Sequence, residues 1–260
     1  MGIVNLTDDS FYGASRVRYD CMEAIVLRVR KMVEEGAGII DLGAASSRPG
    51  AAPVPEETEL RRLSSALGPL QEAFPSVAFS VDTTSAEVVR RLSETAAPFI
   101  VNDISAGEAS PEMLPLVGRL GFEYVAMHMR GTPATMQSLT GYDDVVGSVG
   151  EYFEDFSLRA RDAGVRDWIL DPGFGFAKTV EQNYKLLSRL SELRRFGREI
   201  LVGVSRKSMI YKKFGITPEE SLPATQVLHL KALQEGASIL RVHDVAEAVR
   251  TIEIYRSLQI

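Results

Sequence analysis

Eight short β-rich runs alternate with longer stretches of helical periodicity from one end of the chain to the other. This pattern limits the fold more than any other feature. The runs are Gly2 to Asn5, Ile39 to Gly43, Val77 to Asp82, Phe99 to Asn102, Glu123 to His128, Trp168 to Asp171, Ile200 to Gly203 and Ser238 to Val242. Between them lie amphipathic segments. Asp20 to Glu35 sets Ile25, Val29, Met32 and Val33 on one face, and Glu57 to Ala73 does the same with Leu60, Leu63, Leu67 and Leu70. The stretches Glu87 to Glu94, Asp144 to Ala163, Val180 to Leu193, Glu219 to Gln234 and Val245 to Tyr255 follow, with a short helix expected over Arg206 to Lys213. Gly36, Gly164 and Gly236 stand where helix C-caps are needed, and Thr217-Pro218-Glu219-Glu220 reads as an N-cap, a first-turn proline and a capping box. Strands separated by helices form parallel sheets. Eight such units in 260 residues favour closure into a single (β/α)8 TIM barrel domain spanning residues 1–260, with a doubly wound open sheet as the structural rival.

Bulk properties exclude several functions. The formal net charge is −6, so no general positive field exists to hold a nucleic-acid backbone or an anionic membrane, and anion-binding groups must be local. The single cysteine, Cys21, cannot form an intrachain disulfide and reads as a small, partly buried helix residue; a reducing compartment is expected. The start Gly2-Ile3-Val4-Asn5 lacks the form of a signal peptide, and no apolar run is long enough to span a bilayer, which points to the cytoplasm.

The polar residues follow the strands. Asn5, Asp41, Asp82, Asn102, His128, Asp171, Ser205, and Arg241 with His243, all stand at strand ends, and strand starts carry no comparable set. In a barrel these ends form one mouth, the face that carries active sites. Asp82, Asn102 and Asp171 suit a planar heterocycle with several N–H groups. Ser205-Arg206-Lys207 and Arg241-Val242-His243 follow the strands after which phosphate sites commonly lie, with Lys207 at a helix start. Residues alone therefore indicate a phosphate or diphosphate beside a polar heterocycle. Three unclustered histidines argue against zinc, whereas magnesium, which takes few protein oxygens, fits a diphosphate ligand. There is no dinucleotide fingerprint, P-loop or nucleophile elbow. Three long connections (Leu6 to Tyr19, Ala44 to Val54 and Met129 to Tyr142) read as functional lids.

Several strings together resemble the dihydropteroate synthases. They are MGIVNLTDDSF (1–11), SSRPG (46–50), VDT (81–83), VND (101–103), DPGFGFAK (171–178), SRK (205–207) and RVHDV (241–245), all in the family's order. The resemblance implies condensation of a hydroxymethyl-dihydropterin diphosphate with para-aminobenzoate, in a cytoplasmic homodimer that uses Mg2+ and is a sulfonamide target. It implies that Asp82, Asn102, Asp171 and Lys207 hold the pterin, and that Arg241, His243 and Asn5 hold the diphosphate, Asn5 also meeting the magnesium. Ser47, Arg48, Pro49, Phe176, Lys207 and Ser208 would receive para-aminobenzoate, and Asp82, Asp171, Lys207, Arg241 and Arg48 would be the catalytic set. Four departures stand out: Asp8 for proline, Gly13 for aspartate, Ser47 for threonine, and Ala177 for glycine, the last tolerable unless φ is positive there. The family also carries residues ahead of this string, so a chain beginning at Met1 reads as trimmed. Two rival readings are a pterin-binding methyltransferase, whose substrate has no diphosphate, and a synthase-like paralogue that binds pterin without turnover. A Schiff-base aldolase using Lys207 is more remote.

Overall fold

The computed structural model describes residues 1–6, 21–45 and 54–258. The parallel strands are β1 Gly2–Asn5, β2 Ile39–Gly43, β3 Ala78–Asp82, β4 Ile100–Asp103, β5 Tyr124–Met127, β6 Trp168–Asp171, β7 Leu201–Val202 and β8 Ile239–Leu240. The first six pair in chain order and the last two pair with each other. Parallel bridges from Leu170 to Ile200 and from Gly2 to Val242 join the two sheets, so the ring closes as a TIM barrel.

The described helices are α1 Met22–Glu34, α2 Glu56–Ala73, α3 Ala86–Ser93, α4 Met113–Leu120, α5 Val145–Asp162, α6 Val180–Ser188, α7 Ser208–Phe214, α8 Leu222–Gln234 and α9 Val245–Ser257. Their buried stripes, such as Ile25, Val29 and Met32 on α1 and Leu60, Leu63, Leu67 and Leu70 on α2, pack on the outward faces of the strands. Gly36, Gly164 and Gly236 all take positive φ, as C-cap positions require.

Periodicity missed α4. It is short, apolar on most sides, and interrupted by Pro115 and Gly118. Gly118 marks a close helix–loop approach, since a Cβ there would lie 2.0 Å from the Ala163 carbonyl oxygen. Two other boundaries differ. The hydrogen bonds between Thr217 and Glu220 do form, but they close an isolated turn and α8 starts at Leu222. The helical stretch after β6 ends at Ser188 and continues as a 3-10 segment, Leu190–Phe196. Cys21 is exposed at the N-cap of α1 rather than partly buried in the helix, and makes no side-chain cap bond.

Inside the ring, Ile100, Val125, Ile169 and Leu201 pack with Met1, Ile39 and Ile239 into an apolar plug. Strand side chains alternate faces, so each residue two positions further along also points inward. Those positions are Ile3, Asp41, Asn102, Met127, Asp171, Gly203 and Arg241. The barrel is thus oily at the strand starts and charged at the strand ends.

Candidate active site

The charged layer forms a connected cluster. Arg241, beyond β8, donates from Nε to Asp41 Oδ2 at 2.7 Å and from Nη2 to Asp82 Oδ2 at 2.7 Å. A second Nη2 contact to Asp41 measures 2.5 Å. Asn102 Nδ2 donates to both Asp41 oxygens at 3.3 Å. Asp41 is fully buried, while Asp82 and Arg241 keep about a fifth of their side chains accessible at the mouth. Burial works against the Arg241 charge, but the two carboxylates outweigh it and raise its pKa. Burial pushes Asp82 up to about 7 against the pull of Arg241, although water reaching its exposed edge tempers the shift.

Asn5, Gly43, Asp82 and Asn102 stand in one register row across β1 to β4. A Cβ on Gly43 would lie 3.5 Å from Asn5 Oδ1 and 3.7 Å from Asp82 Cβ, so the glycine leaves the space between those side chains open. At the end of β6, Asp171 accepts from Gly173 N at 2.8 Å. Burial raises its pKa, opposed first by Lys207. Lys207 is the N-cap residue of α7 and reaches back over the mouth. Its ammonium donates to the Phe174 carbonyl oxygen at 2.5 Å and lies 4.8 Å above the Phe176 ring centroid. Burial lowers its pKa to about 8, with Asp171 opposing the drop. Gly203 opens the floor beneath, where a Cβ would sit 3.8 Å from Lys207 Nζ and 3.9 Å from Arg241 Cβ.

The structure therefore gathers Asp82, Asn102 and Arg241 in one hydrogen-bonded cluster around Asp41, with Lys207 and Asp171 beside it; Asn5 shares the register row of Asp82, and Phe176 lies under the Lys207 ammonium. Ser208 begins α7 next to Lys207, and His243 follows Arg241, its backbone N–H donating to Ser205 Oγ at 3.2 Å. Burial lowers the His243 pKa to about 3, so its imidazole is neutral at physiological pH. Ser47, Arg48 and Pro49, with Asp8, Asp9 and Gly13, lie outside the described residues. The expected separation of a heterocycle side from a phosphate side is less clean than residue order implies, because Arg241 bridges directly to Asp82.

Sequence reasoning misjudged three neighbours of the cluster. Asp41 is the hub of the cluster; its place two residues after the plug residue Ile39 is the signal that could have found it. Arg206 was read only as part of a basic string. Its guanidinium pairs with Asp244 at 2.8 and 2.9 Å and donates to the Pro218 and Glu219 carbonyl oxygens, so it braces the β7 and β8 loops instead of facing a ligand. Lys178 is buried beside His128 at 2.9 Å. Ala177 does take a positive φ, +49°, the one condition under which its replacement of glycine is strained.

The chain matches the model of the pterin binding enzymes over residues 1–243. It is 40% identical to the dihydropteroate synthase of Escherichia coli strain K12 over 98% of this chain and 89% of that protein. It is also 40% identical to the Synechocystis enzyme, over 99% and 89%. The structure superposes with a TM-score of 0.93 on Yersinia pestis dihydropteroate synthase solved with a sulfonamide drug, at 35% identity over 99% of this chain and 93% of that one. It superposes with a TM-score of 0.88 on the Xanthomonas albilineans enzyme with 4-aminobenzoic acid, at 37% identity over 99% and 92%. A carboxylate–arginine–lysine cluster at the barrel mouth and similarity in sequence and fold over nearly the whole chain lead to one assignment: the chain belongs to the pterin-binding enzyme family, among the dihydropteroate synthases.

Proposed function

We propose that this protein joins 6-hydroxymethyl-7,8-dihydropterin diphosphate to para-aminobenzoate, giving 7,8-dihydropteroate and diphosphate. The observation that carries the reading is the charge arrangement: Asp41, Asp82 and Asp171 gather with Lys207 and Arg241 at the strand ends of the barrel. Asp82, Asn102 and Asp171 offer acceptors and an amide to the pterin edge, and Lys207 offers a donor to its carbonyl. Leaving any such buried partner unmet costs about 1–3 kcal/mol, enough to select the heterocycle. Arg241, His243 and Asn5 border the space where a diphosphate would lie. Binding it requires Arg241 to exchange part of its Asp82 contact for phosphate oxygens.

Lys207, the lysine desolvated at the mouth, has its amine engaged by the Phe174 carbonyl oxygen rather than poised as a nucleophile. The chemistry the residues support is departure of the diphosphate first, its charge met by Arg241, followed by attack of the arylamine on the electron-poor pterin methylene. Ionised Asp82 and Asp171 favour the cationic ring, and the cavity holds the amine in place. Phe176, Lys207 and Ser208, with Ser47, Arg48 and Pro49, form the para-aminobenzoate side of this reading.

Among the described residues no cluster of three metal-ligating acids, histidines or cysteines exists. The amide oxygen of Asn5, beside the open Gly43 position, fits magnesium, which needs only one or two protein oxygens when phosphates supply the rest. Bound there, the ion would neutralise charge on the departing diphosphate. A homodimer is supported by exposed Val227, Ile254 and Leu258 on α8, α9 and the α9 C-cap, helices that pack together. A cytoplasmic location accords with the finding that no described helix is long and apolar enough to cross a membrane.

The test supplies purified protein with the pterin diphosphate, magnesium and labelled para-aminobenzoate. Dihydropteroate and diphosphate should appear in equal amounts. Pterin binding without product would leave only a binding paralogue.

A further inference from the structure

The turn after β6 carries a buried ammonium that the proposed chemistry does not use. Lys178 is only 6% exposed, yet it donates to the Gly173 carbonyl oxygen at 3.0 Å and the Phe176 carbonyl oxygen at 3.1 Å, and contacts His128 Nδ1 at 2.9 Å. As an ammonium, Lys178 meets three acceptors with its three N–H donors when His128 carries its proton on Nε2. A desolvated lysine is a costly way to fill a core, and an apolar side chain would pack there at lower cost.

What the ammonium holds is an unfavourable backbone. Gly173, Gly175 and Ala177 all take positive φ, at 70°, 82° and 49°. Gly173 is pressed so closely on β5 that a Cβ would lie 2.0 Å from the His128 carbonyl oxygen. Asn183 grips the same turn from α6, accepting from Gly175 N at 2.7 Å and donating to the Thr179 carbonyl oxygen at 2.6 Å. His128 meets Tyr152 edge-on at 4.9 Å, so the anchor point is itself packed. The turn in turn presents two groups to the mouth: the Phe174 carbonyl oxygen that docks Lys207, and the Phe176 ring beneath that ammonium.

We propose that Lys178, anchored on His128, is a positioning residue that fixes the turn over residues 173–177 and thereby sets Lys207 and Phe176 for the arylamine. This inference rests on the synthase reading for its substrate, although its structural half stands without it. Asp41, Asp82 and Arg241 make no hydrogen bond to the turn, whereas Asp171 accepts from Gly173 N and Lys207 donates to the Phe174 carbonyl oxygen, so its loosening should weaken arylamine capture most and pterin binding less.

Lys178→Met tests this, because methionine keeps the length and loses the donors. The KM for para-aminobenzoate should rise about tenfold with kcat within about threefold, the pattern of a displaced binding wall. A general loss of folded protein would lower apparent kcat and leave KM alone. Amide exchange at Phe176 should quicken about tenfold, with the amides of β6 unchanged. Unaltered KM and unaltered exchange would overturn the proposal. If Lys178→Met gives no soluble protein, His128→Gln decides, since it removes the imidazole anchor and leaves the Lys178 contacts to the Gly173 and Phe176 carbonyl oxygens in place. A smaller rise in arylamine KM, about threefold, is expected, and a normal KM would overturn the claim. Should the unmutated protein make no product, the synthase reading fails, and exchange at Phe176 alone then judges Lys178.

Discussion

Replacing Arg241 with methionine should damage stability as much as activity. The guanidinium is the main partner of Asp41, a fully buried carboxylate, through contacts of 2.5 and 2.7 Å. Once it is gone, the hydrogen bonds left to Asp41 among the described residues are the two Asn102 Nδ2 contacts at 3.3 Å, beyond the usual range for a good N–H···O bond. Breaking a buried pair by removing one partner costs about 3–5 kcal/mol, because the other charge stays desolvated. Asp82, with its exposed edge, can take water in exchange and should add little. Against a total stability of about 5–15 kcal/mol, the single variant would be seriously weakened. Urea unfolding of Arg241→Met, Asp41→Asn and the double variant reads this directly, provided the m-value is constant across the set. The double variant should recover at least about 2 kcal/mol of the Arg241→Met loss, since the stranded charge has been removed. A loss below about 1 kcal/mol for Arg241→Met, or additive losses in the double variant, would refute the reasoning.

Other outcomes follow from the same geometry. Because kcat/KM reports groups in the free enzyme, its pH profile should rise as Asp82 ionises near 7 and fall as Lys207 loses its proton near 8. Asp82→Asn should remove the acid limb along with most activity. The raised Asp82 pKa means the folded state holds a proton that the unfolded state has released between about 4 and 7. Its contribution to stability is therefore present below pH 4 and is lost as pH rises to 7, a slope that pH-dependent melts should find and Asp82→Asn should flatten. Ala177→Gly should stabilise the protein by about 0.5–1 kcal/mol by relieving a left-handed alanine, measured by denaturant midpoint; destabilisation would contradict the strain assigned there. Gly173→Ala should cost about 3 kcal/mol or more, since its Cβ would fall 2.0 Å from the His128 carbonyl oxygen just after β5; near-normal melting would show that the turn can move.

Much of the fold was legible because barrel strands carry their own punctuation. In β2, β4, β6 and β8 an isoleucine of the inner plug is followed two positions on by Asp41, Asn102, Asp171 or Arg241. A period of two, read inward, thus yields both the oily floor and the charged mouth. The polar strand ends were visible as a set, but their wiring was not. Asp41 ranked as one strand end among several because nothing local in the sequence tells that Arg241, 200 residues away, would choose it as partner. The same blindness hid Arg206, whose pairing with Asp244 joins two strings that each looked like ligand-binding residues. Lys178 was written inside DPGFGFAK, but its burial depends on where β5 leaves His128. Helix α4 escaped for another reason: its buried Met113, Leu114, Leu116 and Val117 do fall at helical spacing, but the segment is only eight residues long and holds Pro115 and Gly118, which read as breakers. The effect of Ala177 turned on a dihedral angle, which no residue type fixes by itself.

The most direct measurement is calorimetric affinity for 6-hydroxymethyl-dihydropterin with and without its diphosphate, in the unmutated protein and in Arg241→Met. The carboxylate side should bind both compounds, with at least about a tenfold preference for the diphosphate that the variant loses. Equal affinities in the unmutated protein, or a preference that survives the loss of Arg241, would contradict the division of labour assigned to this cavity.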